Sequence, residues 1–431
     1  MEPARRGAVS PEFGHHGRVA LRAHHSRWQP ADVDVATLWA NCGGQWLTGG
    51  PPRVPVEAVR HLIGIVRHLD ARGAGLAQSF AAEGLGVIGE RAALIGLQPS
   101  STVSCGGATR LIETADGWIC VALARDGDLD LLPAWLGIDA HPGESWGPVA
   151  RALGVLPSEE AVARGAELGL ACAVLGEARG RHDAVLVEQL GDVPPIDVRG
   201  LVVVNLGALW AGPLCGDLLA RLGATVVKVE STGRPDGSRA QPAFFDAVHE
   251  RQQMVALDFT TADGIEVLAA LLGAADVVIE GSRPRALAQL GIDAASVVAT
   301  GRPRIWVSIT GHGRAEPFGS RIGFGDDAAV AGGLTGGTPA APTFLADAFA
   351  DPLAGVTAAA TVVDLLADGG RWLVDAALSR VAASMVDRSA SAIAATMPAK
   401  PPRGRSDPLL CDSSTLGRDT VRVLAELGIR R

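Results

Sequence analysis

Apolar and polar positions along the chain fall into three successive patterns. From Asp32 to about Leu97, apolar residues recur at helical spacing, as in VEAVRHLIGIVRHLDARG (Val56 to Gly73) and GERAALIGL (Gly89 to Leu97). From about Ser100 the texture changes. ATRLIETADGWICVALA reads as two strands joined by the turn Ala115-Asp116-Gly117, and helices carrying Trp135 and Trp146 follow, to about Leu190. The segment GDVPPIDVRG, with Pro194 and Pro195, then marks a domain boundary.

The third pattern is the sharpest. Leu201 to Leu206 is an apolar run interrupted only by Asn205, as expected for a parallel strand covered on both faces. Pro213 suits the first turn of a helix, where its missing N–H costs nothing, and Gly223 ends that helix. Strands are expected at Thr225 to Val229, Ala275 to Glu280 and Arg304 to Gly311, with the helical DGIEVLAALLGA before the second of them. The alternation predicts an α/β fold, a Rossmann-like doubly wound sheet, accompanied by a smaller α+β domain. The expected division is a disordered leader over 1–30, a helical segment over 31–99, and the small α+β domain over 100–190. The Rossmann-like domain follows over 196–390, and a tail with a helix over 391–431.

Composition narrows the function. Hydrophobic residues make up 48% and charged residues 20% of 431 positions, enough to bury a sizeable core. A net charge of -9 argues against a general nucleic-acid binder, while a few local Arg still suffice to hold an anionic ligand. The six cysteines are scattered without a C-x-x-C pair, as expected in a reducing, cytoplasmic setting. No uninterrupted apolar run has bilayer-spanning length, and no apolar stretch follows Arg5 and Arg6 as a secretory signal would require. The pairs His15-His16 and His24-His25 read as part of a disordered leader rather than a metal site. Neither G-x-G-x-x-G nor G-x-x-x-x-G-K-[ST] is present, which argues against a dinucleotide or P-loop site.

Several blocks of the second half, in order, resemble the family III coenzyme A transferases of the formyl-CoA and carnitine-CoA transferase type. They are Ala211-Gly212-Pro213, Lys228-Val229-Glu230, PDGSR (Pro235 to Arg239), MVALDFTTADG, ADVVIEGSRPRALAQLGI, WVSITGHG and GFGDDAAVAGGLTG. The first half resembles other parts of the same family out of order: TRLIETADGWICVAL matches its small-domain hairpin. The resemblance therefore implies a rearranged chain with the CoA-binding core second.

Asp351 and Gly355 in FLADAFADPLAGVTAAATVV reproduce the spacing of the family's nucleophilic aspartate to a following glycine. Asp351 before Pro352 also has the signature of a helix N-cap, and that simpler role stands beside the catalytic one. Asp347 is the runner-up; Asp326 and Asp327 read as loop or capping carboxylates. Arg283, after the VVIE strand, is the expected phosphate ligand, or else a surface Arg paired with a carboxylate. By position the resemblance adds Trp210 and Ala211, then Leu257, Asp258, Phe259 and Thr260, then Gly281 and Ser282 as CoA-lining residues. Gly323, Phe324 and Gly325 would lie near the thioester. Trp210 either stacks on adenine or fills core.

The implied activity is acyl-CoA:carboxylate CoA transfer through an aspartyl anhydride and an aspartyl-CoA thioester. Acyl-CoA and a carboxylic acid are the substrates, with no permanently bound cofactor and no metal. A homodimer is expected, and neither nucleic acid nor membrane. A racemase or isomerase of the same superfamily is the alternative. There the family has a His where Phe324 stands, and Phe cannot move an α-proton; His312 is the nearest substitute, or a loop residue packing at a strand end. A catalytically silent CoA-binding protein is the third reading, motivated by HERQQM (His249 to Met254), which departs from the family. Asn205 stands where the family usually has Asp. Gly332 to Gly337 reads as a turn between core elements rather than a phosphate cradle.

Overall fold

The computed structural model describes residues 22–23, 27–49, 53–138, 146–181, 183–386, 398–406 and 415–430. The expected histidine pairs of the leader and Cys411 lie outside them. Among these described residues there are thirteen strands. They are β1 Arg22–Ala23, β2 Thr109–Glu113, β3 Trp118–Ala122, β4 Ala171–Val174, β5 Leu186–Gly191, β6 Val202–Asn205 and β7 Thr225–Ser231. After these come β8 Gln252–Leu257, β9 Val277–Glu280, β10 Ile305–Ser308, β11 Gly336–Thr338, β12 Ala341–Thr343 and β13 Arg371–Asp375.

Eight strands form one sheet in the order β1-β5-β13-β10-β9-β6-β7-β8. The six from β13 to β8 are parallel, and β5 and β1 add antiparallel partners at one edge. Counted along the chain from β6, the parallel part reads 3-2-1-4-5-6, the doubly wound order with its switch point between β6 and β9. Successive strand residues face opposite layers, as strand geometry requires. Val203, Val277, Ile279, Ile305, Val307, Trp372 and Val374 join one core, with helices Val56–Asp70, Ala211–Arg221 and Ala350–Asp368. Val204, Val227, Val278, Trp306 and Leu373 join the other, with helices Ala262–Ala274, Ala294–Thr300 and Thr420–Glu426. Helix Ala350–Asp368 is long and apolar enough to cross a membrane, but it is buried between Val56–Asp70, Ala211–Arg221 and Leu378–Ser384.

A smaller antiparallel sheet, β2-β3-β4, packs one face on helices Trp146–Leu153 and Ser158–Glu167 through Ile112, Ile119 and Val121. Its other face presents Leu111 and Cys120 to Val330 of helix Gly325–Gly332. That second contact sets the small lobe against the large one.

The structure corrects one sequence expectation here. Residues 171–191 are not helical: they supply β4 to the small sheet and β5 to the large one. Residues Leu186–Gly191 pair across β13, a partner 180-odd positions away that local periodicity does not reveal. The Gly332 to Gly337 segment closes helix Gly325–Gly332 at the left-handed Gly333 and opens the β11–β12 hairpin.

Candidate active site

Ligands of doubly wound sheets bind outside the carboxyl ends of the strands at the switch point. Here that point is where the loops after β6 and β9 meet, with a Cβ on Gly281 lying only 3.4 Å from the Gly207 Cα. Asn205 shapes the first loop: its Oδ1 accepts the Gly207 N–H at 2.9 Å, and its Nδ2 donates to Gln252 Oε1 at 3.0 Å. Buried Lys228 donates to Asp236 Oδ2 at 2.9 Å and to the Gly207 carbonyl. Asp236 Oδ1 in turn accepts the Leu209 N–H at 3.0 Å. Leu209 is thereby held at φ +66 with its side chain 40% exposed at the mouth of the crevice. Trp210 beside it is 2% exposed and meets Phe244 edge-on at 5.4 Å. Of the two readings of Trp210, its burial against Phe244 matches core filling rather than ligand stacking, and Leu209 is the side chain that faces outward.

Asp351 lies in the first turn of helix Ala350–Asp368 and does not cap it. The cap position is Phe349, no side-chain cap bond is made, and the Asp351 N–H donates to the Ala348 carbonyl at 2.9 Å. The N-cap expectation fails because the chain is already helical at Phe349, two residues too early. Gly355, one turn on, explains the spacing. A Cβ there would come within 2.7 Å of the Ala211 carbonyl, so glycine lets this helix lie directly on helix Ala211–Arg221. Residues i and i+4 share a helix face, so Asp351 is delivered toward the start of that neighbouring helix.

Three further carboxylates surround Asp351, and each is engaged. Asp347 receives Arg91 Nη1 at 2.7 Å on both oxygens. Asp326 accepts the Ala348 N–H at 3.0 Å. Asp327 accepts the Phe324 N–H at 2.7 Å, closing the start of helix Gly325–Gly332. The Asp351 carboxylate alone among the four makes no hydrogen bond to the described residues. Burial first, and then the Asp326 charge, push its pKa up to about 8; Asp326 is itself raised to about 7 by burial with Asp347. Gly325 stands directly opposite: a Cβ there would be 2.5 Å from Asp351 Oδ2.

Gly323 and Phe324 continue this loop. Phe324 is partly buried and extended, and has no titratable group. His312 is 2% exposed; its Nε2 makes no hydrogen bond and stands 3.7 Å from Asp327 Oδ2, beside Gly323. Cys105 reaches the same neighbourhood, its Sγ 3.2 Å from the Ala346 carbonyl. Burial, with Asp347 and Asp326 adding to it, pushes the thiol up to about 12, so it stays protonated.

The remaining sequence-chosen residues divide. Ala211 opens helix Ala211–Arg221 at the crevice, and Gly281, Ser282 and Arg283 leave β9 beside it. Leu257 does not line the crevice with its side chain; it is 5% exposed in the opposite core. Phe259 packs on that same core, while Asp258 folds onto the Thr260 N–H at 2.9 Å and its hydroxyl at 2.6 Å, ahead of helix Ala262–Ala274. This stretch ends β8, an edge strand two positions from the switch point, so its side chains serve the turn and the core. Sequence reasoning missed Arg91, Cys105 and Leu209. Arg91 meets Asp347 across 256 residues, and no local signal reports such a contact. Among the described residues, no group of three His, Cys, Asp or Glu side chains is arranged to hold a metal.

Residues 198–416 match the family described as CoA-transferase family III. The chain is 30% identical over 177 residues to the succinyl-CoA–D-citramalate CoA-transferase of Chloroflexus aurantiacus, covering 38% of this chain and 44% of that protein. It is 32% identical over 145 residues to the succinate–glutarate CoA-transferase of Agrobacterium fabrum, covering 30% and 36%. Among solved structures, a CAIB/BAIF family protein from Brucella suis aligns with 31% identity and a TM-score of 0.39, over 44% of this chain and 55% of that one. The chain thus spans less than half the length of these two curated relatives.

Proposed function

The chain belongs to CoA-transferase family III, and on that premise we propose that it is an acyl-CoA:carboxylate CoA-transferase with Asp351 as its nucleophile. The observation that carries this reading is the free carboxylate of Asp351, held in the first turn of a helix among three carboxylates that are each already bonded.

The ionised carboxylate attacks the thioester carbonyl of the donor, and the CoA thiolate leaves, giving a mixed anhydride. The thiolate then attacks the aspartyl carbonyl and releases the donor acid, leaving an aspartyl-CoA thioester. The acceptor carboxylate displaces CoA from that thioester, forming a second anhydride. CoA finally attacks the acceptor carbonyl, which yields the new thioester and regenerates Asp351. The four steps balance without a net proton or an external oxidant. Backbone N–H groups at the start of helix Gly325–Gly332, beside Asp351, are the candidate oxyanion donors. Arg283 and the crevice at Gly207 and Gly281 bind the nucleotide end, so that the thioester is presented to Asp351 by position rather than by a cofactor.

The relatives act on succinyl, citramalate and glutarate substrates by name; carboxylic acids of this kind are the donors and acceptors to try first. The α-proton-transfer alternative gains no support, because Phe324 bears no base and His312 Nε2 faces Asp327. A homodimer is the assembly the family resemblance implies, and sedimentation at micromolar concentration tests it. The direct test of the chemistry is intact-mass analysis after mixing with a panel of acyl-CoAs and trapping with hydroxylamine or borohydride. A modification mapping to Asp351 and absent from Asp351→Asn is expected. CoA binding without labelling by any donor would overturn the covalent mechanism.

A further inference from the structure

The backbone just before Asp351 is strained. Ala346 has φ +53 and Ala348 φ +41, the left-handed region that a residue with a Cβ rarely adopts. Such strain persists only where the surroundings over-determine the backbone. Here three side chains remote in sequence do so. The Ala346 N–H donates to Thr48 Oγ1 at 3.1 Å, and the Cys105 thiol donates to the Ala346 carbonyl at 3.2 Å. Between the two strained residues, Arg91 Nη1 lies 2.7 Å from both oxygens of Asp347. The Ala348 N–H then donates to Asp326 Oδ1 at 3.0 Å, and its carbonyl accepts the Asp351 N–H at 2.9 Å.

Arg91, in helix Glu90–Ile95, is itself fixed. Its Nε donates to Gln241 Oε1 at 3.1 Å, and its guanidinium stands 5.9 Å from the ring of Phe244, the residue that backs Trp210 at the crevice. The Asp347 side chain is 1% exposed, so its charge has to be matched by this cation. The loop and the Asp351 carboxylate meet at one place. A Cβ on Gly325 would come within 2.3 Å of the Ala348 carbonyl and 2.5 Å of Asp351 Oδ2, so both are seated on the same glycine. A shift of Ala348 therefore carries Asp351 with it.

We propose that Arg91 is a positioning residue for the transfer reaction: bound to Asp347, it holds the strained loop 346–348 in the shape that aims the Asp351 carboxylate at the thioester. This rests on the reading of Asp351 as nucleophile and deepens it. Asp351 faces Asp326 and Asp327 from helix Gly325–Gly332, Asp347 from the loop, and the Arg91 charge from helix Glu90–Ile95. Making Arg91 neutral and making Asp347 neutral thus act oppositely on the Asp351 proton, yet both release the loop. Charge and position are thereby separable.

The test follows labelling of Asp351 in the full chain by succinyl-CoA, glutaryl-CoA or acetyl-CoA, whichever labels the wild type fastest, with hydroxylamine trapping and peptide mapping. Maximum rate, half-saturating concentration and pH dependence are read for the wild type, Arg91→Gln, Arg91→Lys and Asp347→Asn, each first shown to be folded by circular dichroism. In Arg91→Gln the maximum rate is expected to fall about 10²-fold, the scale of a reacting group misplaced by roughly 1 Å, with half-saturation changed less than about three-fold. Its rising pH limb moves up because a cation has left, whereas that of Asp347→Asn moves down. Asp347→Asn is nonetheless expected to lose about 10²-fold on the plateau above its limb. Arg91→Lys keeps the charge without the Gln241 bond; it is expected to retain the wild-type limb and lose about ten-fold in maximum rate. These last two variants decide the matter if Arg91→Gln does not fold. A wild-type plateau rate in Asp347→Asn overturns the positioning role and leaves Asp351 standing as nucleophile. Failure of all three donors to label Asp351 in the wild type overturns both.

Discussion

Asp351 holds a proton at neutral pH in the unliganded protein, because burial and the Asp326 charge raise its pKa to about 8. Transfer requires the ionised form, so kcat/KM is expected to climb with pH and level off above about 8. Asp326→Asn removes the nearest negative charge and should move that limb down by about one pH unit; an unmoved limb would mean that another group controls it. Asp351→Asn is expected to lose at least about 10³-fold in turnover. The same substitution should stabilise the fold. Between pH 4 and 8 the unfolded chain has shed a proton that the folded chain retains, so this site costs stability progressively as pH rises. The Asn variant is therefore expected to match the wild type near pH 4. At pH 8 it should exceed it by about 1–2 kcal/mol in denaturant titrations, since one pKa unit is worth about 1.4 kcal/mol and nearby water relieves part of the shift. Asp351 could be singled out in the sequence because the family resemblance there rests on a local D-x-x-x-G spacing. The arginine that neutralises its neighbour Asp347 was not, since Arg91 arrives from a helical segment 256 residues away. Trp210 stayed open between two readings for a different reason: an aromatic at a loop end has the same sequence signature whether it meets a ligand or, as here, Phe244.

At the scale of elements, the site depends on how closely two helices approach. The missing side chain of Gly355 allows helix Ala350–Asp368 to rest on the Ala211 carbonyl. Gly355→Val would push the helices apart, costing about 1–3 kcal/mol in stability. It should lower kcat more than it raises KM, because Asp351 is displaced while the nucleotide crevice is left largely intact; equal changes in both would argue against this positioning role. The parallel strands were legible from their nearly unbroken apolar runs, since a strand covered on both faces has no polar side to show. β5 was not, because its place is set by antiparallel pairing with β13, which the order of residues does not encode locally.

Across the whole molecule, the C-terminal segment 398–406 ties distant parts together. Arg405 is 4% exposed on its side chain, with Nε 2.5 Å from Glu90 Oε1 in the first-half helices and Nη1 on Glu250 beside β8. Arg405→Met would leave buried Glu90 without its paired cation, while Glu250 keeps Arg251, and is expected to cost about 3–5 kcal/mol, read as a lower unfolding midpoint. Adding Glu90→Gln should recover part of that loss; no recovery would locate the effect elsewhere in the segment. The order of pairing within the large sheet also has a consequence for synthesis. β5 is made early, yet the strand it joins is β13, and the other five parallel strands lie between them in the chain. While the ribosome is still adding that stretch, Leu186–Gly191 and the apolar faces of the first-half helices have no sheet to join. Such late closure makes folding slow and leaves the nascent chain open to aggregation. Ribosome-tethered chains halted before Arg371 are accordingly expected to be far more protease-sensitive over residues 53–97 than chains carried past Asp375 and clear of the exit tunnel.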